Sequence, residues 1–299
     1  MTLPASIPDV VEVRLHRAPA PLPGALPLLI EVPHGAAGNA EYAAVADQLK
    51  SVLPADLIDF FHVNTDAGAF EVAEATAALL CAAGRVSWVG VLRSCIPRTF
   101  IDCNRVLGAS REAYRSGGVT PGVPPWVTDP TDHAFLVGRY DAYQRVVQEA
   151  LATVGTAGGR VLLLHTYAPR TVDVEVSPDI VTDLHAAYAP GTVERWPLRP
   201  EVDLIHRTPE GVRTVSEASA AALGAAFAAE GLALADGETY PMHPVTTAWA
   251  AVHAFPGRVA CIEVRRDLLT EAFVPFRLVV PEAGRCARVA RALAAWLGD

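Results

Sequence analysis

Leu28-Leu29-Ile30-Glu31-Val32 is a short, almost wholly apolar run closed by Pro27 on one side and Pro33 on the other, and no other stretch constrains the chain as much. Proline donates nothing to a sheet ladder, so the run is bounded at strand length. Apolar residues on both alternate positions mark a strand buried on both faces. In open α/β sheets the C-terminal ends of such strands are where ligands bind. Here that end carries a histidine, in the turn Pro33-His34-Gly35.

Two later stretches repeat the design. Val161-Leu162-Leu163-Leu164-His165 and Val259-Ala260-Cys261-Ile262-Glu263 are apolar runs that deliver one polar group at or near their ends. A lone histidine at a strand end is more often a satisfied structural residue than a ligand, and that reading holds for most of the nine here. Two at separate strand ends, with a glutamate on a third, are candidates for one site. A fourth stretch, Arg98 to Arg105, sets two guanidiniums and the Asn104 amide around a short apolar run, a composition suited to anions.

The remaining signals narrow the function class. A formal charge of −9 disfavours nucleic acid or an anionic membrane surface as partner and leaves small molecules. The N-terminal residues show no basic and apolar leader pattern, and no run approaches a membrane span, so the expected location is cytoplasmic. Five cysteines without C-x-x-C spacing read as reduced core residues. With 51% hydrophobic residues and no linker-like segment, residues 1–299 are expected to form one α/β domain.

Taken in order, the periodicity predicts strands over 10–15, 86–92, 161–164, 202–205, 232–235 and 259–264, with strand-like pieces such as 174–176 between prolines. Helices are expected within 36–53, from the Asp66-Ala67-Gly68 turn to Leu80, over 134–154, from a capping box at Thr214 to Glu217 onward, and at the C-terminus. Residues 108–132 have loop composition, fit for a lid or rim. Asp66 reads either as a helix cap, worth about 1 kcal/mol, or as a carboxylate turned toward the histidines. The bland alternative is favoured.

The order of these motifs resembles the N-formylglutamate amidohydrolase family: Pro33-His34-Gly35, Asp66-Ala67-Gly68, Arg98 to Asn104-Arg105, Leu164-His165 and Ile262-Glu263-Val264-Arg265. That family is similar in architecture to the zinc carboxypeptidases and aspartoacylases. The resemblance implies a three-layer α/β/α sandwich around a mixed sheet, phosphorylase/hydrolase-like. Two positions depart from the pattern. Ala37 stands where carboxypeptidases carry the glutamate of His-x-x-Glu, and Leu164 where the family carries an aspartate before the histidine.

The implied chemistry is metal-dependent hydrolysis of the amide of an N-formyl or N-acyl amino acid, with N-formylglutamate the family's default substrate. Zinc, or another divalent metal, would be held by His34, His165 and a third ligand, Asp66 before Glu31. Glu263 would be the general base, unless it merely pairs with Arg265 or Arg266. Asn104 and Arg105 would clamp a substrate carboxylate, against the alternative of a structural Arg105–Asp102 pair. Arg98 would bind a second carboxylate or stabilise the oxyanion, and Tyr240 and Trp249 would line the pocket. Two other functions compete: a zinc carboxypeptidase or amidase on small peptides or cell-wall fragments, and a metal-free carboxylate-binding protein on a hydrolase fold. The oligomeric state stays open.

Overall fold

The computed structural model describes residues 2–298. Its centre is a seven-stranded mixed sheet of β1 (Val11–Arg17), β2 (Leu28–Val32), β3 (Trp88–Ser94), β4 (Arg160–Tyr167), β5 (Val202–Ile205), β6 (Leu234–Ala235) and β7 (Val259–Arg265). The spatial order is β1-β3-β2-β4-β7-β5-β6, with β3, β2, β4 and β7 parallel and β1 and β5 antiparallel to their inner neighbours. The organising strand and the two that echo it therefore lie side by side.

Alternation along these strands builds the layers. Leu28, Ile30 and Val32 of β2, Leu162 and Leu164 of β4, and Ile262 and Val264 of β7 pack on α3 (Ala69–Ala82), α7 (Glu217–Ala229) and α9 (Ala283–Leu297). Leu29, Leu163 and Cys261 point the other way, toward α5 (Pro130–Thr156), α6 (Ile180–Ala187) and α8 (Thr247–Ala254). The result is a three-layer α/β/α sandwich. The same parity puts Glu31, His165 and Glu263 on the α5 side, and the β4–β7 register makes His165 and Glu263 direct lateral neighbours.

Several elements differ from expectation. The 36–53 segment yields only α1 (Asn39–Ala46), and α2 (Leu57–Asn64) forms where aromatic and β-branched residues conceal a helix that buries Leu57, Phe60, Phe61 and Val63. The 108–132 loop contains α4 (Arg111–Ser116), and the stretch 168–210, expected as strand-like pieces, contains α6. Val174 to Val176 has no regular secondary structure and joins no sheet, and α7 is capped by Ser216, not Thr214. All five cysteines are free. No helix among the described residues is long and apolar enough to cross a membrane.

Candidate metal centre

The turn after β2 needs its glycine for space. A Cβ on Gly35 would fall 2.3 Å from Cγ of Arg93, which crosses the turn and donates to the Gly35 carbonyl. With the turn so fixed, His34 is buried with its Nδ1 3.1 Å from Asp66 Oδ2. His165 comes from β4 to the same oxygen, its Nδ1 at 3.0 Å, and the two imidazole centroids are 5.1 Å apart. One donor atom from each of His34, Asp66 and His165 lies within 4.8 Å of the others, all three residues being buried.

Asp66 is not the cap of α3. The cap position belongs to Gly68, at φ 92°, and makes no side-chain cap bond. A side chain at that left-handed position would also meet Leu269, so glycine holds the turn. The Asp66 carboxylate is thereby released toward the histidines. Burial alone would raise its pKa, but His34 and His165 beside it hold it far below the usual carboxylate range.

The other side of His34 is held by a residue that sequence reasoning treated only as a possible partner of Arg105. His34 Nε2 donates to Asp102 Oδ1 at 2.7 Å, and the Asn104 backbone N–H donates to the same oxygen at 2.9 Å. Arg98 donates to Oδ2 at 2.8 Å, and Arg105 lies 3.4 Å from it. Burial works to raise the Asp102 carboxyl, yet Arg105, Arg98 and His34 keep it well below its ordinary value. His34 thus stands between two ionised carboxylates. Burial and Arg98 act to lower its pKa, and Asp102 and Asp66 overcome them.

This arrangement fits a divalent cation. With the Nε2–H given to Asp102, Nδ1 presents its lone pair toward an ionised carboxylate oxygen, so either a second proton or a cation must occupy that side. Two imidazoles and one carboxylate are the ligand types that suit zinc and its neighbours. Glu31 stands apart from this cluster: Tyr143 donates to its Oε1 at 2.8 Å, and burial raises its carboxyl. Asp66, not Glu31, is brought to the histidines.

Glu263 faces the same space from β7. Neither expected arginine pairs with it, since Arg265 pairs with Asp267 at 2.8 Å and Arg266 donates to the His62 and Val63 carbonyls at the end of α2. Glu263 Oε2 is buried without a hydrogen-bond partner among the described residues. Burial, assisted by Asp66 and opposed by His165, pushes its carboxyl up to about 7. A pocket of about 240 Å³ opens over it, lined by His34, His165, Arg98, Asn104, Arg105 and Tyr240 among others.

A family model for N-formylglutamate amidohydrolase matches residues 26–270, which span every strand of the site. The chain belongs to the N-formylglutamate amidohydrolase family. The crystal structure of an N-formylglutamate amidohydrolase from Ralstonia eutropha superposes with a TM-score of 0.58 at 16% identity, over 95% of each chain. A gene product of Agrobacterium tumefaciens gives 0.56 at 20% identity, over 96% of this chain and 93% of its own. At these identities the likeness is one of fold. No curated protein matches the sequence. The family is one of amidohydrolases, so the chain is a hydrolase by kinship.

Within this family fold the other predicted residues fall unevenly. Asn104 reaches the pocket with its Oδ1 accepting from Thr247 Oγ1 at 3.0 Å. Arg105 is buried, and each of its nitrogens has a partner in the chain: Nε on the Thr120 carbonyl, NH1 on the Asn104 carbonyl, NH2 beside Asp102. Tyr240 lines the pocket and its hydroxyl accepts from Arg199 at 2.8 Å. Trp249 does not line it. It lies in α8 with its ring 4.0 Å from that of His253. Gly118, Val119 and Thr120 of the 108–132 loop do form part of the rim.

Proposed function

We propose that this protein hydrolyses the amide of an N-formyl or N-acyl amino acid with a divalent metal, zinc in the first instance, held by His34, Asp66 and His165. The observation that carries the reading is the uncommitted Glu263 carboxylate beside the His34–Asp66–His165 cluster. A bound metal supplies Lewis acidity to the amide carbonyl and makes water easier to deprotonate. Glu263 takes the proton from the attacking water as that water adds to the carbonyl carbon, then delivers it to the leaving nitrogen as the C–N bond breaks. The products are a carboxylic acid and a free amino acid.

A carboxyl near pH 7 is matched to both halves of that transfer. Arg98 lies 2.8 Å from Asp102 and 3.7 Å from Asp66, and its positive charge is placed to stabilise the oxygen that becomes negative on attack. Asp102 fixes the His34 ring. Purified protein should carry about one divalent metal per chain and turn over N-formyl amino acids faster than short peptides. A metal-loaded preparation inactive on N-formyl and N-acyl amino acids, or faster on peptides, contradicts this reading.

A further inference from the structure

The arginines around the pocket differ in what they already hold. Arg98 is tied to Asp102, Arg105 to Asp102 and two carbonyls, and Arg266 to the carbonyls that end α2. Arg199 is different. It lines the pocket half-buried, and among the described residues no carboxylate forms an ion pair with it.

Its position is nevertheless built with care. Just past β4, Pro169 to Thr171 runs antiparallel to Pro197 to Arg199 as a short ribbon: the Thr171 N–H donates to the Pro197 carbonyl and the Arg199 N–H to the Pro169 carbonyl, both at 2.9 Å. The Arg199 carbonyl accepts from Arg265 at 2.8 Å, which pins the ribbon to β7 beside Glu263. The guanidinium lies over the rings of Tyr167 and Tyr240, at 5.1 and 5.5 Å. Nε donates to Thr171 Oγ1 at 3.2 Å and NH2 to the Tyr240 hydroxyl at 2.8 Å. Each of these guanidinium contacts is neutral or aromatic. NH1 has no partner.

A half-buried guanidinium oriented by neutral groups has lost part of its hydration without a carboxylate in contact, Glu263 acting on it only from a distance, and its planar fork is matched to a carboxylate. We infer that Arg199, with Arg170 beside it on the ribbon, is the pocket's receptor for the substrate carboxylate, a specificity role for which Arg105 is too buried and too fully committed. Arg170 also lines the pocket, and among the described residues only its NH1 is used, on the Trp196 carbonyl at 2.6 Å. The inference rests on reading this pocket as the amidohydrolase site. It makes the preferred substrate an amide whose amino acid retains a free carboxylate.

The test separates the two readings by using a ligand that has no amide. Zinc-loaded full-length protein is titrated calorimetrically with glutarate and with glutaramide, as wild type, Arg199→Met and Arg199→Lys. Wild type should prefer glutarate. Arg199→Met should lose at least about tenfold in glutarate affinity, the scale of one charge-assisted hydrogen bond, with glutaramide unchanged and Arg199→Lys between the two. Should Arg199→Met fail to fold, Thr171→Val, which removes only the Nε acceptor, should weaken glutarate selectively. Glutarate binding unchanged in these variants, loss shared equally by glutaramide, or no preference in wild type overturns the inference. Arg199-dependent glutarate binding in a protein that hydrolyses no N-acyl amino acid would remove the proposed reaction and leave the subsite standing.

Discussion

The floor of the site and its wall are built on opposite terms. On the floor, Asp102 accepts from His34, Asn104 and Arg98 and faces Arg105, whose remaining nitrogens are taken by carbonyls. On the wall, among the described residues, Glu263 keeps a buried oxygen without a hydrogen-bond partner and Arg199 keeps a cation with no acid in contact. A buried charge with all its partners is a fixed part of the fold, whereas one left short is costly unless something else completes it. The floor holds geometry; the wall meets what enters.

That division orders the expected effects of substitution. The largest belongs to the wall: Glu263→Gln keeps the size of the side chain and removes the base, so kcat should fall by about 10² to 10⁴ while metal content, measured by atomic absorption, stays at the wild-type level. Loss of metal in that variant would make Glu263 a ligand and move it to the floor.

Asp102→Asn comes next. It leaves His34 Nε2 without its ionised partner while Asp66 remains on the Nδ1 side, and metal affinity, measured by competition with a chelating dye, should weaken by about 10- to 100-fold, with a lowered melting temperature. Retained affinity would show that the floor does not orient the ligand. Arg105→Lys should lower the melting temperature by disturbing bonds to Asp102, Thr120 and Asn104. Its KM for carboxylate substrates should stay near wild type, and a large KM rise in steady-state kinetics would return the carboxylate clamp to Arg105.

The smallest effect is a pH dependence of stability without metal. The Glu263 carboxyl rises from an ordinary value of 4.5 to about 7 in the folded protein, so the folded state binds the proton more tightly than the unfolded one. Its contribution to stability is complete below pH 4.5 and is lost as pH rises through about 7. Metal-free wild type should therefore lose denaturation free energy across that interval relative to metal-free Glu263→Gln. Parallel curves for the two would mean that Glu263 has a partner.

Much of this site could be read from residue order because strand parity carries it. Leu29 and Glu31, Leu163 and His165, Cys261 and Glu263 alternate with residues of the other layer, so an apolar run ending on a polar residue already places that residue at the edge of the sheet. Asp66 was ambiguous, since the same sequence serves as a cap or a ligand until Gly68 takes the cap. Asp102 and Arg199 were not legible. The role of Asp102 arises from a contact with His34, distant in sequence, and its position four residues after Arg98 and three before Arg105 was the only local hint. Arg199 lies among prolines, and the tyrosines that hold it come from β4 and from the loop before α8. The short helices α2 and α6 escaped because tertiary burial of aromatic and β-branched residues, more than helix propensity, holds them.

The most direct test of the metal centre is anomalous diffraction at the zinc edge from crystals of the protein grown with zinc. The expected result is one strong peak per chain between Nδ1 of His34, Nδ1 of His165 and the Asp66 carboxylate, at about 2.0 to 2.2 Å from each. A peak bound elsewhere, or clear density for all three side chains with no anomalous signal between them, would contradict it.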